Sequence, residues 1–127
     1  MIDTERLFDS LNQATEFTVS EDHLKLLRHL CDGGLYWNPG EGFGGAPYFG
    51  PKKPYGNSNV ERDVAEIVGA PDSDLQRLND DDDEVVDRYL RVHVEAGIAL
   101  KIVLATGEFR PGRYTRTDSW RNEWRRA

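Results

Sequence analysis

The sequence predicts a mainly α-helical protein: four or five helices in one compact domain over residues 1–127, with a long ordered loop rich in glycine, proline and aromatics at 33–57. Three observations predict it. Apolar residues recur at three- and four-residue steps through most of the chain, the period of one helix face. The segments with this period are bracketed by cap and stop residues. No Pro-, Gly- or Ser-rich linker is long enough to divide 127 residues into two units, and a chain of this length buries roughly two-thirds of its unfolded surface.

A first short helix follows Thr4, with Leu7, Phe8 and Leu11 on one side. The second has Ser20 as N-cap and Glu21 and Asp22 in its first turn, where the helix dipole favours negative charge. Leu24, Leu27, Leu30 and Cys31 follow at helical spacing, and Gly33 and Gly34 end it. The third lies in "NSNVERDVAEIVG". Ser58 with Glu61 three residues on forms a capping box, Val60, Val64, Ile67 and Val68 share a face, and Gly69 then Pro71 stop the helix. The acidic run Asp80 to Glu84 suits the N-terminus of another helix. Behind it Val85, Tyr89, Val92, His93, Ala96, Leu100, Val103 and Leu104 recur at helical steps. This helix is the longest and forms the spine, ending near Ala105 with Gly107 as its stop; the β-branched "VHV" inside it is outweighed by the flanking period. Beyond it, "GEFRPGRYTRTDSW" holds a Pro-Gly turn between short extended pieces, so a short β-hairpin near the C-terminus is admitted. "DSWRNEWRR" then sets Trp120 and Trp124 four apart, on one side of a last helical turn in a basic tail, 115–127.

Composition excludes several classes. The hydrophobic share is 38% and the charged share 31%; mean hydropathy is −0.67. The longest apolar run, "IALKIVLA", is interrupted by Lys101 and falls far short of the ~20 residues of a membrane helix, so no membrane partner is expected. The first ten residues are acidic and polar, unlike a secretory signal. A single cysteine, Cys31, allows no internal disulfide, which fits a reducing cytoplasm. The net charge of −7 hides an asymmetry: residues 1–100 carry 9 basic and 20 acidic side chains, residues 101–127 carry 7 and 3. The acidic whole repels a phosphate backbone, so nucleic acid is disfavoured and the basic segment is expected to lie against the protein's own acidic helices.

The motifs point to binding rather than chemistry. "GEGFGG" (40–45) resembles a phosphate-holding glycine loop, but a dozen residues with three prolines separate it from the next helix N-terminus. Prolines at 39, 47, 51 and 54 instead stiffen a loop whose aromatics, Tyr36, Trp37, Phe43, Tyr48, Phe49 and Tyr55, have apolar area to bury. Loops this long without regular structure are uncommon in compact domains and tend to be functional. In "KKPYGNS", Pro54-Tyr55-Gly56-Asn57 reads as a turn leading to Ser58; its functional version aims Lys52, Lys53 and Tyr55 at an anion on the following helix N-terminus. His23 and His29, six apart, lie on different faces and His93 is distant, so no metal site is read. Asp80 to Asp83 lacks the glycine and distal glutamate of a calcium loop. His93 sits on the apolar face as a buried histidine. Asp63 and Glu66, one turn apart, read as a solvated face, and no Gly-x-Ser-x-Gly nucleophile motif occurs.

At "HLKLLRHL", "KKPYGNSNVERDVAEIVG" and "HVEAGIALKIVLATGEFRPGRY" the chain resembles a group of small uncharacterised proteins met in bacteriophage and prophage genomes. The likeness runs in the same order over roughly residues 20–115; "GGLYWNPGEGFGG" departs from the group in being longer and richer in glycine. The resemblance implies a phage or mobile-element context and a helical fold, and it transfers no catalytic residues. The sequence therefore leads first to a non-catalytic protein–protein interaction module with a host or phage protein as partner, anchored by Trp37, Phe43, Trp120 and Trp124. A binder of a small anion or nucleotide, using Lys52, Lys53, Tyr55, Asn57 and Ser58, comes second and an enzyme third. No cofactor is expected, and self-association is left open.

Overall fold

The computed structural model describes residues 2–32, 35–38, 48–51, 60–118 and 123–127. Five helices and five strands follow in chain order: α1 (Thr4–Asn12), β1 (Glu16–Val19), α2 (Glu21–Asp32), β2 (Leu35–Asn38), β3 (Tyr48–Pro51), α3 (Val60–Val68), α4 (Asp72–Asn79), α5 (Asp83–Thr106), β4 (Gly112–Asp118) and β5 (Glu123–Arg126). The fold is mainly α with a small antiparallel sheet, as the sequence predicts.

The helix ends follow from local chemistry. Asp3, not Thr4, caps α1: its carboxylate accepts from the Arg6 N–H at 3.1 Å. Ser20 Oγ accepts from the His23 N–H at 3.2 Å, while His23 Nδ1 accepts from the Ser20 N–H at 3.0 Å. This is a reciprocal box with histidine in the usual place of glutamate. The proposed cap at Ser58 lies outside the described residues. At α5, Asp82 Oδ1 accepts from the Glu84 N–H at 3.1 Å, and Gly107 at φ 69° closes the helix, its N–H bonding Val103 O at 2.8 Å.

The spine, α5, is more than amphipathic. Residues 96 to 100 are buried in succession, so its middle has no solvent face and is packed on all sides. Helices α1, α2, α3 and α4 and strand β5 lie around it. Phe8, Leu24, Leu27, Val64, Ile98 and Tyr114 meet in the common core, most with no exposed surface. Each fully buried leucine there is worth about 1.5–3 kcal/mol of transfer free energy.

Four features differ from the sequence reading. The last described part of the tail, read from the sequence as a helical turn, forms strand β5, paired antiparallel to β4 with Trp124 opposite Arg116, while Trp120 lies outside the described residues. Ladder bonding to β4 satisfies the backbone of this short segment where a single isolated helical turn could not. Strand β1 completes the sheet in the order β1-β4-β5, with Phe17 opposite Tyr114. Its exposed–buried alternation over Glu16, Phe17, Thr18 and Val19 is a half-buried strand pattern, only four residues long. The third is α4, which the sequence reading passes over because Leu75 and Leu78 alone give it an apolar period. Inside the glycine- and proline-rich segment, β2 and β3 pair as a separate two-stranded sheet.

Candidate functional site

The residues singled out from the sequence fall in different places. Trp37 lies in β2 and pairs in register with Phe49 of β3. Trp124 lies in β5, only 5% exposed, within the core. Phe43, Lys52, Lys53, Tyr55, Asn57, Ser58 and Trp120 lie outside the described residues. The two described tryptophans therefore belong to different sheets, and Trp124 is a packing residue before it can be an anchor.

The basic C-terminal segment is held by its own neighbours. On the inner face of the sheet, the Arg116 guanidinium lies 5.7 Å from the Trp124 ring centroid, and that of Arg126 lies 5.7 Å from the Tyr114 ring. Such stacking suits the weakly hydrated guanidinium. Arg126 also reaches Glu108 (3.7 Å), as does Arg110 (3.2 Å), and Arg113 meets Glu16 at 3.0 Å. The carboxylates that neutralise this arm thus come from β1 and the α5–β4 connection. Among the described residues, none of the ion pairs of Arg110, Arg113 and Arg126 goes to a helical carboxylate.

At the C-terminal end of α1 two cations converge. Lys101 Nζ donates to Asn12 Oδ1 at 2.6 Å, Arg116 donates to the Asn12 carbonyl, and the Lys101 ammonium lies 5.4 Å from the Phe8 ring centroid. Burial, then the charge of Arg116, pushes the Lys101 pKa down. Both cations answer the negative end of the α1 dipole and its open carbonyls. Among the described residues two buried side-chain nitrogens, Arg116 Nε and Trp124 Nε1, make no hydrogen bond.

Two buried polar groups resemble catalytic parts and are structural in their geometry. His23 Nε2 meets Glu95 Oε1 at 3.3 Å beneath the Phe17 ring. Because Nδ1 already accepts from the Ser20 N–H, Nε2 carries the proton and donates to Glu95. Both ring nitrogens are thus engaged within the fold. Asp74, missed from the sequence along with its helix, accepts from the Tyr89 hydroxyl at 2.5 Å and from Arg88 at 3.0 Å, tying α4 to α5. The Tyr89 bond, followed by the Arg88 charge, holds the Asp74 carboxyl below its ordinary pKa; desolvation, then the bond to Asp74, pushes Tyr89 up to about 12. The hydroxyl therefore stays protonated as a donor throughout the neutral range. The signal for Asp74 in the sequence is the Pro71 start and the acidic first turn of α4.

His29 is exposed, well apart in role from the buried His23, and Glu66 points to solvent with Arg62 at 3.4 Å. Among the described residues no three His, Cys, Asp or Glu side chains gather into a metal-binding group, and no helix is long and apolar enough to cross a membrane. No family model, curated protein or solved structure matches the chain.

Proposed function

We propose that the chain is a non-catalytic protein–protein interaction module of bacteriophage or prophage type, working in the cytoplasm on a host or phage protein. One observation carries this reading. The β2–β3 ribbon forms a sheet of its own, and four of its eight residues are aromatic: Tyr36, Trp37, Tyr48 and Phe49. Aromatic residues carry a disproportionate share of interface energy, and the strand register sets Trp37 opposite Phe49. The competing anion-binding reading needs a receptive N-terminus at α3, yet the first turn of that helix carries Glu61 and Asp63, whose charge opposes an anion.

The test is affinity capture from host lysate, followed by rebinding with the purified partner, using wild type, Trp37→Ala and a Lys52→Ala/Lys53→Ala variant. A specific partner that survives loss of the lysines and is lost with Trp37→Ala is the expected result. Thermal stabilisation by a nucleotide that disappears with the two lysines would replace this reading with the anion-binding one.

A further inference from the structure

His23 closes the joint between the sheet and α2. Strand β1 ends at Val19 and α2 begins at Glu21, so Ser20 alone connects them. The Ser20 N–H donates to His23 Nδ1 at 3.0 Å, and the His23 N–H donates to Ser20 Oγ at 3.2 Å. The ring is held from two further sides. Nε2 donates to Glu95 Oε1 of α5 at 3.3 Å, and the Phe17 ring of β1 lies 5.4 Å away between centroids. The other charged groups of the first turns of α2 are directed elsewhere: Glu21 meets Arg28 at 3.8 Å, Asp22 is exposed, and Lys25 reaches Val68 O of α3 at 3.5 Å. Among the described residues, Glu95 is the charged group that meets the ring. A glutamine in this place of a capping box accepts from the N-cap amide at every pH, whereas histidine accepts only while Nδ1 carries no proton.

We propose that His23 is a proton-operated latch on the β1–α2 joint: the neutral ring holds the Ser20 amide, and a proton added at Nδ1 releases it while Glu95 keeps the ring in place. The proton comes from solvent and forms a new Nδ1–H bond. Two donors then face each other where 3.0 Å now separates donor from acceptor, and the Ser20 N–H loses its partner. At Nε2 the existing N–H stays, and its contact with the Glu95 carboxylate becomes a charge-assisted ion pair. The same proton thus breaks one contact of the ring and strengthens the other. The opening is local, because Leu24, Leu26 and Leu27 anchor the rest of α2 with no exposed surface. What loosens is the single-residue junction between sheet and helix.

Nuclear magnetic resonance of the full chain follows both partners at once. The His23 ring nitrogens report the tautomer and the titration of that ring. The Ser20 amide reports the latch through its exchange rate, corrected for the intrinsic dependence on pH. Neutral His23 is expected to carry its proton on Nε2, and Ser20 protection to fall about fivefold along the His23 titration, as suits the loss of one hydrogen bond. His23→Gln keeps a reciprocal box with Ser20, so protection there should be level across the same range. Glu95→Gln keeps an acceptor for Nε2 but removes the charge that meets the imidazolium, so ring titration and Ser20 release should move together to lower pH. A neutral ring with its proton on Nδ1 overturns the proposal. So does Ser20 protection that stays level through the His23 titration, or that follows His29 or His93 instead. A ring titration that moves in Glu95→Gln while the Ser20 release stays behind also overturns it. Should His23→Gln not fold, the two wild-type curves decide without it.

Discussion

His93 shows how burial can set a residue's protonation. It is 8% exposed on α5, and desolvation pushes its pKa from 6.5 down to about 4. The folded protein therefore refuses a proton that the unfolded chain accepts below pH 6.5. Stability conferred by the neutral ring is whole above that pH, declines as pH falls toward about 4, and is then fully spent, a loss of up to about 3 kcal/mol. His93→Gln is expected to flatten this decline. Urea denaturation of both proteins at about pH 7 and about pH 5 measures it, and an equally steep loss in the variant would show that other groups set the acid limb. The position of His93 on the apolar face was legible from its helical spacing. The Asp74–Tyr89 bond was not, because it joins residues on two helices whose packing angle no local period encodes.

Among the elements, α5 was the most legible and β5 the least. Acidic residues, an unbroken period and Gly107 marked the long helix almost to the residue, since each signal acts within one turn of its own position. Gly107→Ala tests the terminus by itself: the glycine sits at φ 69°, and an added Cβ would meet nothing within 4 Å. The cost is then backbone strain without a clash, about 1 kcal/mol. It should appear as a lower denaturation midpoint with an unchanged slope, and an unchanged midpoint would remove the left-handed cap from the account. In "WRNEWRR" the fourfold spacing of two tryptophans reads as a helical turn, while Glu123–Arg126 forms a strand because β4 is present to receive its ladder bonds.

At the scale of the whole molecule, Trp124 links sheet to spine. Its side chain is buried beneath Arg116, and among the described residues its indole N–H meets no acceptor. Trp124→Ala is expected to cost about 3–5 kcal/mol by opening a large cavity. Trp124→Phe should cost far less, because it keeps a ring under Arg116 and removes a buried donor whose desolvation costs about 1–3 kcal/mol. Chemical denaturation of the two variants distinguishes the cases. Two unchanged midpoints would return Trp124 to the surface and to the set of interface anchors.

The sequence by itself determined the helices α1, α2, α3 and α5, the stops at Gly69 and Gly107, and the burial of His93, because capping, dipole charge and the 3.6-residue period are local. It also carried the excess of positive charge in its last quarter, but not the partners of that charge. Tertiary structure decided that Arg113 would meet Glu16, that Arg116 and Arg126 would stack on Trp124 and Tyr114, and that β1 would join β4 across nearly the full length of the chain. The physical reason is that a strand has no internal hydrogen bonds. Four residues such as Glu16–Val19 or Glu123–Arg126 become strands only when α5 has gathered the core and brought their distant partner alongside.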